Sequence, residues 1–357
     1  MHNNLYLCSN LEYLTTMKAF ETKYYLVPAA ICLVALVSLA YYYTFTNFSD
    51  KAQTEYLYID GDDTVDSVFL KLQPIGSSHG MTGIRTLIRH SDYDEHIHTG
   101  RYAVETDLSI FRLYRRLRSG QQSPFMLTIP ESRTTKILAG VLGRRLMMDS
   151  TTIAQALTDS TYCQKYGYDT YTIPALFVPN TYEVYWNMSI DQFMERMKRE
   201  HDTFWGYDRR HKADALGLTP VEVCTVASIL DEETANNGEK PMIAGMYLNR
   251  LKEEMPLQAD PTVKFALGDF SIRRIYKSML ETESPYNTYK YAGLPPGPIK
   301  IASVKGIDAV LNRKAHNYLY MCAKEDFSGT HNFAETYKEH QANAARYAKA
   351  LNQRGIK

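Results

Sequence analysis

The 357-residue chain lacks an excess of charge of either sign, because its 40 acidic residues balance its 40 basic residues. A neutral chain gives no electrostatic attraction for a polyanion, so nucleic acid is not predicted as a partner. Cysteine is also scarce, and the five cysteines are an odd number, lie far apart and form no Cys-x-x-Cys pair. This spacing predicts neither a disulfide framework nor a zinc knuckle.

Metal-binding motifs are sparse as well. His96 and His98 form a His-x-His pattern, which can bind a metal from one face of a strand. No third ligand is identifiable, and the stretch precedes a glycine turn, so a solvated loop is the favoured interpretation. We therefore predict no metal site and no cofactor.

The chain contains one long hydrophobic run, which lies over residues 25–45 and carries no charge. A helix needs about 20 apolar residues to cross a bilayer core, and this run is long enough. A buried core helix is the alternative, but such helices rarely lack polar residues on every face. Three tyrosines at the far end of the run are typical of a membrane interface. The run therefore predicts a single transmembrane helix.

Lys18 and Lys23 precede this run, which by the positive-inside rule predicts a cytoplasmic N-terminus over residues 1–24. The remainder of the chain is then predicted to lie in the periplasm, anchored to the inner membrane. No small-x-small cleavage site follows the run, so an uncleaved anchor is favoured over a signal peptide. Met17 stays open as an alternative start.

A linker over 46–54 precedes a predicted small α/β domain over 55–130. Tyr56–Gln73 combine an alternating strand, a Gly-Asp turn and an amphipathic helix, and they resemble the opening of a LysM module. The positions that fit loosely are Tyr58, Ile59, Gly61, Asp62 and Thr64. An ordinary strand-helix unit is the alternative. A second such unit is predicted, with a strand over Gly100–Val104 and a helix over Leu108–Gly120.

The clearest helix signals lie between Leu218 and Lys240. Thr219 is a predicted N-cap, Pro220 suits the first helical position, and Glu222 completes a capping box. An apolar stripe follows at Val223, Val226, Ala227 and Leu230, and a stop signal follows at Asn236, Asn237 and Gly238. The pattern predicts a helix with one buried face.

Three consecutive acids, Asp231, Glu232 and Glu233, fall in the last turns of this helix. Carboxylates there meet the negative end of the helix dipole, and burial further disfavours their charged form. Both effects favour a general acid that works near neutral pH. At about 100° per residue, Glu232 points away from the apolar stripe, and we predict that it faces solvent. Asp231 and Glu233 flank the stripe, and periodicity alone does not separate them.

Four segments resemble a known family, the YceG-like (MltG-like) endolytic murein transglycosylases. They are ASILDEET, MIAGMYLNRLKEEMPLQADPTVKFALG, SPYNTYKYAGLPPGPI and LYMCAKEDFSGTHNF, and the resemblance covers roughly residues 177–348. The family's own segment is Ala-Ser-Ile-Val-Glu-Lys-Glu-Thr, with the second Glu as its catalytic acid. That position is Glu233 in this chain, whereas Asp231 and Glu232 depart from the pattern.

The resemblance implies a lytic reaction on peptidoglycan glycan strands. Glu233 would protonate the oxygen between N-acetylmuramic acid and N-acetylglucosamine, and its carboxylate would then accept the proton of the muramic acid C6 hydroxyl as that oxygen attacks C1. The product is a 1,6-anhydromuramic end. The resemblance also implies an α+β catalytic domain over 131–357, action on nascent strands that terminates their elongation, and cell-wall synthases as partners.

The same motifs supply candidates for substrate binding, since loop polar residues, amides and flat rings suit acetylated sugars. They are Asn249, Arg250, Gln258, Asp260, Tyr286, Asn287, Tyr289 and His331. Polar helix-end residues are the alternative for Asn249 and Arg250, and a structural histidine is the alternative for His331.

Two rival functions stay open. A non-catalytic peptidoglycan-binding scaffold of the synthesis machinery would need no acid, and the intact Glu233 argues against it. A hydrolase with Asp231 or Glu232 as base would differ from a lytic enzyme in the product end.

Overall fold

The computed structural model describes residues 3–272 and 274–354, with side chains from Tyr24 onward. Its helices and strands divide into two compact units. The first comprises Met1–Pro124 with Tyr185–Asn187, and the second comprises Phe125–Val184 with Met188–Lys357. Both units contain helices and antiparallel strands, so the mixed α+β class predicted from the sequence is confirmed.

The first unit begins with a long helix, α1 (Asn3–Phe45). Its segment Tyr24–Phe45 is long and apolar enough to cross a membrane, and its apolar window is not buried inside the protein. Apolar side chains that are left uncovered along such a segment are what a lipid environment stabilises. The helix is thus consistent with the predicted transmembrane anchor, while its orientation stays a prediction.

The rest of the first unit surrounds a two-stranded sheet. Its elements are β1 (Glu55–Ile59), α2 (Val65–Leu72), α3 (Ser78–Arg89), a 3-10 turn (Tyr93–Glu95), β2 (Gly100–Val104) and α4 (Ile110–Arg118). Thr64 caps α2. The two predicted strand-helix units are joined, because β1 and β2 pair with each other in antiparallel register, with α2 and α3 between them in the chain. The likeness to a LysM module stays a prediction.

The second unit contains two further antiparallel strand pairs and ten helices among its described residues. Its elements begin with β3 (Phe125–Ile129), α5 (Thr135–Gly143), α6 (Ser150–Thr158), α7 (Ser160–Gln164), a 3-10 turn (Ile173–Leu176), β4 (Asn180–Val184), α8 (Ile190–Phe204) and α9 (Tyr207–Ala215). They continue with α10 (Pro220–Glu233), α11 (Lys240–Lys252), α12 (Asp260–Leu267), a 3-10 turn (Lys277–Glu281), α13 (Val304–Leu311), β5 (Tyr320–Ala323), β6 (His331–Ala334) and α14 (Tyr337–Gln353). Strand β3 pairs with β4, and β5 pairs with β6.

Helix α10 is the central element of the second unit. The capping box between Thr219 and Glu222 is present as predicted. The prediction of a single buried face is wrong, because every residue from Val223 to Leu230 is buried and the helix is therefore covered on all sides there. The helix ends at Glu233 with Thr234 as its C-cap, before the predicted stop signal. Because α10 is packed against α11, α12 and α13, the three acids at its end are held by the core.

Candidate active site

A cleft of about 290 Å³ opens at the C-terminal end of α10. It is lined by residues of α10, α11, α14, the β5–β6 pair and the segment that leads into α12. Six sequence candidates lie in its wall: Glu233, Arg250, Gln258, Asp260, Tyr289 and His331. The fold therefore brings together residues that are almost one hundred positions apart in the chain.

Glu233 is the last residue of α10 and is only partly exposed in this cleft. The Tyr247 hydroxyl donates a hydrogen bond of 2.8 Å to its Oε1. Burial raises the pKa of Glu233 to about 7, repulsion from Asp260 acts in the same direction, and the Tyr247 hydrogen bond and Lys264 offset part of the rise. No ion pair to Glu233 is formed by the described residues. The carboxyl can therefore both give and accept a proton near neutral pH.

Asp231 lies outside the cleft, in a buried polar cluster. Its side chain is 2% exposed and forms an ion pair of 2.6 Å with Lys240, which is itself buried. Ser303 donates to it twice, from its hydroxyl at 2.8 Å and from its backbone N–H at 2.7 Å. These contacts join the end of α10 to the start of α11 and to the N-cap of α13. The structure thus separates Asp231 from Glu233, which periodicity did not.

Glu232 does not face solvent, so the sequence prediction for it is wrong. Its side chain is 20% exposed and accepts hydrogen bonds from Arg133 Nη2 at 3.0 Å and Nε at 3.3 Å. Lys300 Nζ lies 3.3 Å from its Oε1. Both cations come from loops that periodicity does not describe, and together they draw Glu232 into a second, smaller cleft beside Phe265.

The segment before α12 presents two polar candidates. Asp260 is the first residue of α12, and its Oδ1 accepts a hydrogen bond of 2.6 Å from the Tyr289 hydroxyl. Gln258 has a left-handed backbone with a φ of 52°, and its Oε1 accepts a hydrogen bond of 2.8 Å from Arg250 Nη2. A left-handed residue other than glycine is strained, and here Thr288 O holds it through the Gln258 N–H.

Arg250 and His331 complete the cleft wall with side chains that already have protein partners. Arg250 is buried, and besides Gln258 it donates from Nη1 to Leu257 O at 3.0 Å. His331 is held by Glu239, whose two carboxylate oxygens contact the His331 backbone N–H at 2.7 Å and its Nδ1 at 2.9 Å. In both cases part of the side chain shapes the cleft, and the substrate-binding role stays a prediction.

Three predicted substrate-binding residues lie outside the cleft lining. The Asn249 amide donates to two backbone carbonyls at 2.7 and 3.0 Å, and the Asn287 amide does the same at 2.9 and 2.8 Å. Tyr286 is buried, and the centroid of its ring lies 4.6 Å from the centroid of the Phe265 ring. These contacts hold the loops that carry cleft residues, while direct substrate binding by the three stays a prediction.

Four polar or ionisable residues of the cleft wall were not among the sequence candidates: Tyr247, Tyr320, Cys322 and His340. Tyr247 belongs to the apolar stripe of α11, so its pattern predicts packing. A buried tyrosine hydroxyl usually needs a partner, and Glu233 is that partner here. The sequence contains only one signal for this pairing, which is the need of a buried tyrosine hydroxyl for a hydrogen-bond partner. No spacing rule connects residues on different helices.

Metal binding receives no support from the described residues. Among them, no group of three His, Cys, Asp or Glu side chains is placed to hold a metal ion. His96, one of the two histidines of the His-x-His pattern, directs its Nδ1 to the Asp92 carbonyl at 2.8 Å.

Comparisons with known proteins converge on one family. The YceG-like family model matches residues 57–346. A relative from Bacillus subtilis (strain 168), named endolytic murein transglycosylase, is 28% identical over 275 residues, which are 71% of this chain and 74% of the relative. A relative of the same name from Streptococcus pneumoniae serotype 2 (strain D39 / NCTC 7466) is 26% identical over 291 residues, which are 72% of this chain. The match spans about half, 52%, of that streptococcal protein.

A solved structure shares the fold. The crystal structure of a yceG-like protein from Listeria monocytogenes superposes with a TM-score of 0.54 at 24% sequence identity. The match covers 82% of this chain and 99% of the Listeria chain. At this identity, the likeness shows a common fold and nothing about the reaction.

Proposed function

Since the chain belongs to the YceG-like family, we propose that it is an endolytic murein transglycosylase, the activity for which its curated relatives are named. Its substrate is then the glycan strand of peptidoglycan. The reaction is the lytic cleavage between N-acetylmuramic acid and N-acetylglucosamine, with Glu233 as the catalytic acid.

The environment of Glu233 is the observation that supports this proposal most directly. A catalytic acid must hold a proton when substrate arrives and must accept one back before the product leaves. A pKa of about 7, raised chiefly by burial, allows both states near neutral pH. Glu233 also has a neutral hydroxyl as its partner, which orients the carboxyl and leaves the proton transferable.

The proposed steps balance with one carboxyl. The Glu233 proton moves to the bridging oxygen as the bond from that oxygen to muramic acid C1 breaks. The C6 hydroxyl oxygen then bonds to C1, and its proton returns to Glu233, which is regenerated. Neither Asp231 nor Glu232 lines this cleft, so neither is placed to activate a water as the base of a hydrolase.

The remaining cleft residues are proposed to position the sugar. Tyr289 supplies a flat ring, and Gln258 and His331 supply polar atoms in the cleft wall. The second carboxylate of the cleft, Asp260, places negative charge near the site where positive oxocarbenium charge develops. Asn249, Asn287 and Tyr286 would act less directly, through the loops that they hold.

The location follows from the anchor. We propose that Tyr24–Phe45 spans the inner membrane with the short N-terminus in the cytoplasm, which places the cleft in the periplasm beside nascent strands and their synthases. An alkaline phosphatase fused to the C-terminus should be active, because that enzyme works only on the periplasmic side. Activity of a cytoplasmic reporter in its place would reverse the orientation.

The reaction is tested by mass spectrometry of the products that the purified full-length protein releases from purified glycan strands. We expect 1,6-anhydromuramic ends, and we expect chelators to leave their yield unchanged. Reducing ends that incorporate oxygen from labelled water would indicate a hydrolase, with Asp260 as the available base. Absence of cleavage by the folded protein, with glycan binding retained, would favour a scaffold.

A further inference from the structure

The first unit has a cleft of about 480 Å³ that no step of the proposed reaction uses. Its wall is strongly basic, since it is lined by Arg112, Arg115, Arg116 and Arg118 of α4. His96, Tyr114, Ser119 and Gln121 complete the lining. Ile110, Leu113 and Leu117 are buried on the other side of the helix, so the four arginines share one face, on which Arg112, Arg115 and Arg118 are exposed.

Two of these arginines are neutralised and two are not. Arg116 forms an ion pair of 2.6 Å with Glu105, and Arg118 forms one of 2.8 Å with Asp92. Arg112 and Arg115 are exposed and have no side-chain hydrogen bond, ion pair or ring contact with the residues that the structure describes. The face therefore has two guanidinium groups available to an anion.

The start of α4 is fastened to the end of the membrane-spanning helix. The Ile110 N–H donates to Thr46 O at 3.0 Å, and the Phe48 N–H donates to Leu108 O at 2.9 Å. The rings of Phe45 and Phe111 lie 5.6 Å apart, and Phe45 is the last residue of α1. Arg112, the first arginine of this face, thus lies two residues after Ile110, which bonds the residue that directly follows the apolar segment.

The distances place this face at the height of lipid headgroups. A helix rises about 1.5 Å per residue, so Arg112 and Arg115 lie no more than about 8 Å along α4 from the contact at Thr46. The headgroup layer on each side of a bilayer is roughly 5–8 Å thick. Both arginines therefore lie close enough to the end of the span to meet lipid phosphates when the face is turned toward the bilayer, and a guanidinium group suits phosphate oxygens as a bidentate donor.

We propose that the arginine face of α4 binds the phosphate of an anionic phospholipid headgroup and so fixes the first unit on the membrane surface. The inference rests on the proposed membrane span and is independent of catalysis. The charge complementarity and the direct packing of α4 on the end of the span favour a lipid over a soluble anion.

The test is native mass spectrometry of the full-length protein in a non-ionic detergent, titrated with phosphatidylglycerol or phosphatidylcholine. We expect phosphatidylglycerol to bind more tightly. Arg112→Gln/Arg115→Gln should weaken its binding on the order of 10- to 30-fold, as expected for two basic residues near a charged surface. Arg112→Lys/Arg115→Lys keeps the charge but loses the bidentate donors, so its binding should lie between those of the parent and the Gln variant. Both sites are exposed, so thermal unfolding of all variants should match the parent.

A matched control removes the same charge elsewhere: Lys136→Gln/Arg144→Gln changes two exposed cations of the second unit and should leave lipid binding unchanged. Equal binding of the two lipids, equal binding by the parent and the Arg112→Gln/Arg115→Gln variant, or an equal loss in the control would each overturn the proposal. Displacement of the lipid by millimolar inorganic phosphate would identify a soluble phosphate site and would also overturn it. Failure of the proposed catalysis would leave these results unaffected, since no glycan is present.

Discussion

Asp231 and Glu233 lie two residues apart at the end of α10, and the structure gives them opposite surroundings. Asp231 is enclosed by Lys240 and two Ser303 donors and has no access to the cleft. Glu233 lines the cleft and receives a single hydrogen bond, from Tyr247. Both are removed from bulk water to some degree, so burial alone does not identify a catalytic acid. The difference is that the oxygens of Asp231 are already committed, whereas those of Glu233 remain available to a substrate.

The largest effect expected from this comparison is on catalysis. Glu233→Gln keeps the shape and the hydrogen bond from Tyr247 but cannot transfer a proton, so release of anhydromuramic ends should fall on the order of 100- to 10,000-fold. The measurement is the initial rate of product formation on purified glycan strands.

Glu232→Gln is the matched control for this change, because it is the neighbouring residue and loses the same charge. It should remain largely active, since Glu232 lies outside the cleft and binds Arg133 and Lys300. Near-parent activity of the Glu233 variant, together with loss of activity in the Asp231→Asn variant, would show that the wrong carboxylate was assigned.

The next effect concerns the stability of the Asp231 cluster. Asp231→Asn leaves the buried Lys240 ammonium without its counter-charge, and breaking a buried pair in this way costs on the order of 3–5 kcal/mol. Chemical denaturation should show this loss in the free energy of unfolding. Activity should fall between those of the Glu232 and Glu233 variants, because less protein is folded while the acid is intact.

The double variant Asp231→Asn/Lys240→Met sharpens this prediction, since it removes the unpaired charge together with its partner. It should be more stable than Asp231→Asn alone. If the single variant unfolds at the same denaturant concentration as the parent, the cluster does not contribute to stability as the contacts suggest.

A smaller effect is the pH dependence of stability at Glu233. Its folded-state pKa of about 7 lies above the ordinary value of 4.5, so the folded state binds this proton more tightly than the unfolded state does. The resulting stabilisation is complete below pH 4.5 and is lost as the pH rises through 7. Glu233→Gln has no proton to lose at this position. The free energy of unfolding of the variant minus that of the parent should therefore rise by about 1–3 kcal/mol between pH 4.5 and 8, because the parent loses stability over this range. Melting temperatures across this range measure it, and a constant difference would contradict it.

The smallest effect is expected from Tyr247→Phe. The Tyr247 hydrogen bond stabilises the Glu233 carboxylate, and its loss should raise the Glu233 pKa by about one unit. Since the reaction starts from the protonated acid, the alkaline limb of kcat/KM against pH should move upward from about pH 7 by a similar amount. A lower rate with an unmoved limb would indicate that Tyr247 only packs against its neighbours.

Much of the local structure around the site could be predicted from the sequence. The capping box of Thr219 and Glu222 is a property of neighbouring residues, and it was found. The apolar stripe of α10 is buried as predicted, but the other sides of the helix between Val223 and Leu230 are buried too. The position of Glu233 at the helix end follows from the same pattern, together with the family resemblance. The pairing of β1 with β2 was missed, because the strands are separated by two helices and no turn motif connects them.

The sequence by itself therefore determined the helix that carries the three acids, the apolar segment before the first unit, and the family to which the chain belongs. Only the tertiary structure decided what each acid does. Glu232 was predicted to face solvent, yet Arg133, 99 positions away in the chain, binds it. Helical periodicity specifies the direction in which a side chain points from its own helix. The charges and hydroxyls that it meets there come from other segments, and they distinguish an ion pair from an acid in a cleft.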